Sequence, residues 1–291
     1  MQLDQTCIPI RHRSIWEILD LSLRVMGTYG RSLLLATGLT ALPYACLNFV
    51  ALRHLTDNGA ADATQHYLWM MAFLVFLEAP IATIPATAVL GRVMFLQDLS
   101  FRAVLLDIRE SIGRLIWTQG FIRGGIFVVP IALTLDSSFE SGLLLTFLTF
   151  YVVILRAARP FLNEVVLLER TPIRTGNGKN RRVTLMRRMA SLHARQTGGL
   201  ILRAFVMAAA IVILAFNLML TFWFVLSIVT GNWQFSSGFL QFVWPLCMWI
   251  AVTWASVVRF LCYIDARIRR EGWEVELRVK AAAIELRGIT S

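Results

Sequence analysis

The sequence predicts an all-α membrane protein with six transmembrane helices, and three observations predict it. Hydrophobic residues make up 57% of the 291, with a mean hydropathy of +0.65. They are gathered into runs of roughly 20 residues, the length that matches the hydrocarbon thickness of a bilayer. The basic residues fall almost entirely in alternate connections between those runs. Charged residues are only 16% of the chain, where a soluble domain carries about a quarter. A surface facing water would be left largely uncoated.

The elements follow in order. Residues 1–31 read as a cytoplasmic segment holding an amphipathic interfacial helix. It opens on Ser14-x-x-Glu17, a capping box in which each side chain satisfies an orphan amide of the helix start. Its apolar face is Ile15, Ile18, Leu19, Val25 and Met26, against Glu17, Asp20, Arg24 and Arg31. Spans are expected near 32–52, 67–92, 115–135, 142–160, 199–229 and 238–262, together a 32–262 membrane domain. The third is interrupted by Gln119 and Arg123, and the fourth is short ahead of Arg156 and Arg159. Residues 263–291 form a cytoplasmic tail.

Of the 28 lysines and arginines, all but Arg53 and Arg123 lie before the first span, in the connections around 92–114 and 156–203, or within 259–287. The opposite loops hold Asp57, Asp62, Asp136 and Glu140. The positive-inside rule then puts both termini in the cytoplasm. The net charge of +10 and pI near 10.3 accordingly point to anionic lipid headgroups and not to nucleic acid. Cys7, Cys46, Cys247 and Cys262 show no metal spacing, and no disulfide framework is expected. No cleavable signal peptide is expected, because the first long apolar run starts near Ser32.

Amphipathic stretches also begin at Ser100 and Thr184. The second has Val104, Leu105, Ile108 and Ile112 on one face, and the third has Leu185, Met189 and Leu192. One reading is a threefold repeat of interfacial helix plus helical hairpin. The other is that any basic connection between spans looks partly amphipathic.

Three stretches resemble a known group. Arg13-Ser-Ile-Trp-Glu-Ile-Leu-Asp-Leu-Ser-Leu-Arg24 is similar to the opening helix of bacterial proteins related to the glycerophosphodiester phosphodiesterase membrane domain. Ala79-Pro-Ile-Ala-Thr-Ile-Pro-Ala-Thr-Ala-Val89 resembles that group's second span. The end, from Tyr263 through Asp265, Arg267, Arg269, Arg270 and Glu271 to Gly272, resembles the Tyr-x-Asp-x-Arg-x-Arg-x-Glu-Gly tail of many bacterial multi-pass membrane proteins. The resemblance implies a six-helix protein of the bacterial cytoplasmic (inner) membrane. It also implies a neighbouring partner system with a MoxR-type ATPase and a transglutaminase-like membrane protein. It does not imply phosphodiesterase activity. In those enzymes a separate barrel does the chemistry, and a barrel needs about 250 residues.

Candidate chemistry is sparse. Glu78 sits inside the second span just before Pro80 and Pro85. A carboxyl there costs roughly 2.5–3.5 kcal/mol on insertion scales and needs a partner. It fits an ion or solute pathway, with prolines freeing carbonyls, or a hydrogen-bonded structural acid beside a kink. Arg123, Arg156 and Arg159 suit an anion or lipid-phosphate contact, or snorkelling to the headgroups. Asn163 and Glu164 are expected to pair with them. Asn217 fits an interhelical hydrogen bond better than a substrate contact.

Trp223, Trp233, Trp244 and Trp249 read as an aromatic belt. The Thr171–Arg182 loop lacks a GxxxxGK[ST] match, and the histidines at 12, 54, 66 and 193 have no metal spacing. No catalytic set, metal site or cofactor is expected. The mixed-charge tail, with a strand-like alternation over 273–280, fits either a protein-docking surface or a solvated face. The expected function is a non-enzymatic membrane anchor or scaffold for partner proteins. A transporter or channel using Glu78 is the alternative.

Overall fold

A computed structural model describes residues 13–57, 61–94, 100–122, 125–135, 138–157, 159–172, 184–193 and 197–271. Helix accounts for about 90% of the described residues, with no strand among them. The chain is a membrane protein by the length and apolarity of its helices.

Helix α1 (Ile15–Asp57) is a single rod of 43 residues, about 64 Å at 1.5 Å per residue. It begins at the expected capping box. The Glu17 amide donates to Ser14 Oγ at 3.3 Å, and the Ser14 amide donates to Glu17 Oε2 at 2.8 Å. The divide expected at residue 31 falls inside this helix, so the amphipathic stretch and the first span are continuous. Nothing between Arg31 and Ser32 breaks helical pairing, since neither is glycine or proline.

Helices α2 (Ala61–Ala82) and α3 (Ile84–Met94) lie where the second span is expected, and together they are apolar enough for one, bent by 44° at Thr83. Pro80 and Pro85 flank the bend, and each lacks the N–H that would continue the ladder.

The third expected span has a different local form. Residues 115–135 are not one apolar helix. Amphipathic α4 (Phe101–Ile116) runs directly into a π-helical turn at Trp117–Ile122, followed by α5 (Gly125–Leu133) of only nine residues. Thr118 Oγ1 donates back to the Arg114 and Leu115 carbonyls, which competes with ordinary pairing where the helix widens.

Helix α6 (Phe139–Ala157) meets the fourth span. The chain then turns through Pro160 into α7 (Leu162–Leu168), whose residues from Leu162 to Val166 are almost wholly buried. This replaces part of the cytoplasmic connection expected after 160. Helix α8 (Leu185–His193) buries Leu185, Met189 and Leu192, the face its spacing predicts. Helices α9 (Thr197–Thr230) and α10 (Ser237–Glu271) are the longest after α1. The divide expected at residue 262 lies inside α10.

In the bundle α1 and α10 run antiparallel. Arg13 meets Asp265 at one end, Trp254 Nε1 donates to Ser22 Oγ at 2.9 Å, and Phe49 stacks on Phe242 at the other end. Two apolar clusters share this axis. One, at the arginine-rich end, joins the first half of α1 to α3, α7 and α8. The other joins the second half of α1 to α2, α6 and the start of α10. Cys46, Cys247 and Cys262 form no disulfide among the described residues.

Candidate functional site: the bent span and its polar partners

Buried polar groups in a bilayer must find one another, because lipid offers no hydrogen bonds. In this bundle they collect around the bend at Thr83. On its α2 side, Glu78 is 5% exposed and accepts a 2.9 Å hydrogen bond from Asn48 Nδ2 of α1. Three backbone carbonyls near the prolines also accept from side chains. Arg156 Nη2 of α6 reaches the Leu77 carbonyl at 2.9 Å, with its guanidinium 3.9 Å from the centre of the Phe76 ring. Asn163 Nδ2 of α7 reaches the Pro80 carbonyl at 2.6 Å, and Thr40 Oγ1 of α1 reaches that of Ala82 at 2.6 Å. Gln119, in the π-helical turn, donates to Asn163 Oδ1.

On the α3 side, Glu164 is fully buried and takes a 2.6 Å ion pair from Arg259 Nε of α10. The same guanidinium lies 3.4 and 3.5 Å from Thr83 and Thr87 Oγ1. Short α7 therefore works as a wedge. One face carries Val165 and Val166 into the core, while Asn163 and Glu164 hold the bend on two sides. The prolines withhold donors from the Phe76 and Ile81 carbonyls, and the side-chain donors here reach the neighbouring carbonyls of Leu77, Pro80 and Ala82.

At the arginine-rich end two clamps secure α10. Tyr263 OH donates to Glu169 Oε1 at 2.7 Å, and Glu169 also pairs with Arg188 at 2.5 Å and Arg267 at 3.6 Å. Asp265 accepts from the Arg13 amide at 3.1 Å and from Arg269 at 2.9 Å, while Arg269 donates to the Arg13 carbonyl at 2.8 Å. Nearby, Asp107 joins Arg92 at 2.7 Å and Arg170 at 2.9 Å.

The sequence-predicted residues thus separate. Glu78, Arg156, Asn163 and Glu164 come together around one bend. Glu164, however, pairs with Arg259 of α10 and not with Arg156 or Arg159, because α7 turns it inward. Arg159 sits half-buried in the turn before Pro160. Arg123 lies outside the described residues. Asn217 is exposed on α9 and donates to the Ile213 carbonyl of its own helix at 2.8 Å. That corrects the expected interhelical bond, since a lone amide facing lipid has only its own backbone to satisfy it. Tyr263 and Asp265, expected in a docking surface, point inward and hold the fold. The side chains of Arg270 and Glu271, and the strand-like stretch 273–280, lie outside the described residues.

The aromatic belt is partly assembled. Trp223 stacks on Phe235 at 4.9 Å and meets Trp233 edge-on at 5.9 Å, whereas Trp249 is buried.

Sequence reasoning missed Arg259, Glu169 and the burial of α7. The signal was there in Arg259, a cation flanked by Val257, Val258, Phe260 and Leu261. A charge inside such a run implies a buried counter-charge elsewhere. Comparison of the chain with protein-family models, with curated proteins and with solved structures finds no match.

Proposed function

We propose that the chain is a non-enzymatic, multi-pass protein of a bacterial inner membrane that anchors a partner protein on its cytoplasmic face. The two clamps at the arginine-rich end carry this reading. They tie α10 to α1, α7 and α8, so whatever follows Glu271 leaves from a rigid base. An anchor needs such a base, whereas a transport site needs an accessible cavity. Here the groups around the bend are engaged with each other.

The topology proposed with it has six spans and both termini cytoplasmic. The four long helices and the bent α2–α3 pair supply five crossings. The run from α4 through the π-helical turn to α5 supplies the sixth, entering as an interfacial helix. The stretches opening at Ser14, Ser100 and Thr184 then precede three pairs of spans, as a threefold repeat requires. The motif resemblance adds a MoxR-type ATPase system as the partner class.

Chemical cross-linking in native membranes of the full chain and of a form ending at residue 271 tests the anchor. An ATPase-containing complex is expected only with the full chain. The same cross-linked proteins from both forms would remove the tail from the function. The transport alternative rests on the Glu78–Asn48 pair beside a bent span. It predicts proteoliposome flux that is lost in Glu78→Gln.

A further inference from the structure

A second feature of the bend lies on its outer flank, where α1, α3 and α4 enclose an open groove of about 720 Å³. Small-molecule clefts fall in the same range, ~300–1,000 Å³. Its floor is buried, formed by Ile84, Val89, Val104 and Leu115. Its rim is exposed and aliphatic, with Leu35 and Leu39 on α1 facing Leu105 and Ile112 on α4. Water has no place there, because an ordered water needs two to four polar partners. The one wall hydroxyl near the bend, Thr40, already donates to the Ala82 carbonyl. An empty groove would forfeit dispersion contacts along its whole floor.

The remaining polar wall residues are Ser32 and Ser100. Arg31 and Arg102 lie within two residues of them, both exposed, and neither is in an ion pair among the described residues. The acidic groups of α4 do not offset these cations. Asp107 is held by Arg92 and Arg170, and Glu110 by Arg170 at 2.9 Å. Ser100 makes no side-chain capping hydrogen bond.

We propose that this groove is a binding site for one anionic phospholipid, with an acyl chain along the α1–α4 cleft and its phosphate between Arg31 and Arg102. Guanidinium forks suit phosphate oxygens, and the aliphatic floor suits the chain. The site needs the bilayer but not the anchoring role, so it stands or falls whatever the tail binds.

The full-length protein in mild detergent, given equal dioleoyl-phosphatidylglycerol and dioleoyl-phosphatidylcholine, is read by native mass spectrometry. One phosphatidylglycerol is expected to stay bound after detergent is stripped. Ala36→Trp fills the groove and should abolish retention. Leu39→Trp, starting from the exposed rim, should do the same if Ala36→Trp fails to fold. The Arg31→Gln/Arg102→Gln double variant keeps the groove and should lower the preference for phosphatidylglycerol by about fivefold or more. Equal retention of the two lipids by the unaltered chain, or full retention by Leu39→Trp, overturns the proposal. So does a Leu39→Trp variant that changes oligomeric state while lipid binding stays the same, because the occupant would then be a second copy.

Discussion

Helices α9 and α10 lie side by side with 34 and 35 residues, and the more apolar of the two is the less buried. Only 11% of the apolar stretch of α9 is buried, against 78% for α10. In water that order would be reversed. In a bilayer the lipid tails solvate leucine as well as another helix does, so apolarity gives a helix no reason to seek the core. What draws α10 inward is its polar content. Ser256, Thr253, Arg259, Tyr263 and Asp265 are placed within the bundle, and the two charges and the tyrosine are tied to α1 or α7. Helix α9 carries one amide, Asn217, and satisfies it internally.

That contrast is open to test, starting where the effect should be largest. Glu164→Leu leaves Arg259 buried without its counter-charge, and losing one member of a buried pair costs about 3–5 kcal/mol. Thermal unfolding in detergent should show the loss. The Glu164→Leu/Arg259→Met double variant should recover most of it, and no recovery would mean that the pair does more than neutralise itself. Next, Phe260→Ala in α10 should destabilise by roughly 3 kcal/mol, as large aromatic truncations in packed interiors do. Phe216→Ala in α9, half exposed to lipid, should cost well under that in the same assay. Similar losses at both positions would mean that α9 has a packed partner on its outer face.

The smallest pair concerns two asparagines. Asn163→Ala strips the Pro80 carbonyl and Gln119 of their partner and should cost about 1–3 kcal/mol. Asn217→Ala should leave stability unchanged within measurement. A large loss at Asn217 would contradict its self-contained hydrogen bond.

Much of the fold was legible beforehand, for identifiable reasons. The capping box at Ser14 is local chemistry, and it forms as written. The bend between Pro80 and Pro85 follows from two missing amides. The buried face of α8 followed from its helical spacing. The third span was read as interrupted at Gln119, and hydropathy alone does not show that the chain takes a π-helical turn there, with Gln119 donating to Asn163. The tail misled. Mixed charges on a helix look solvated when written in one dimension, yet Asp265 and Tyr263 are the residues that α1 and Glu169 bury. Within the site, Glu78 stood out as an acid among apolar residues, but nothing near it in the chain pointed to Asn48, 30 residues earlier.

Composition, apolar run length and proline placement set the membrane class, the helices and the bend, because each acts within a few turns of one chain segment. Pairing across helices was left to the folded bundle. Helices that are apolar on nearly every side carry no periodic mark of their inward face. Which acid meets which cation therefore depends on where α7 and α10 converge, as Glu164 and Arg259 do across 95 residues of chain.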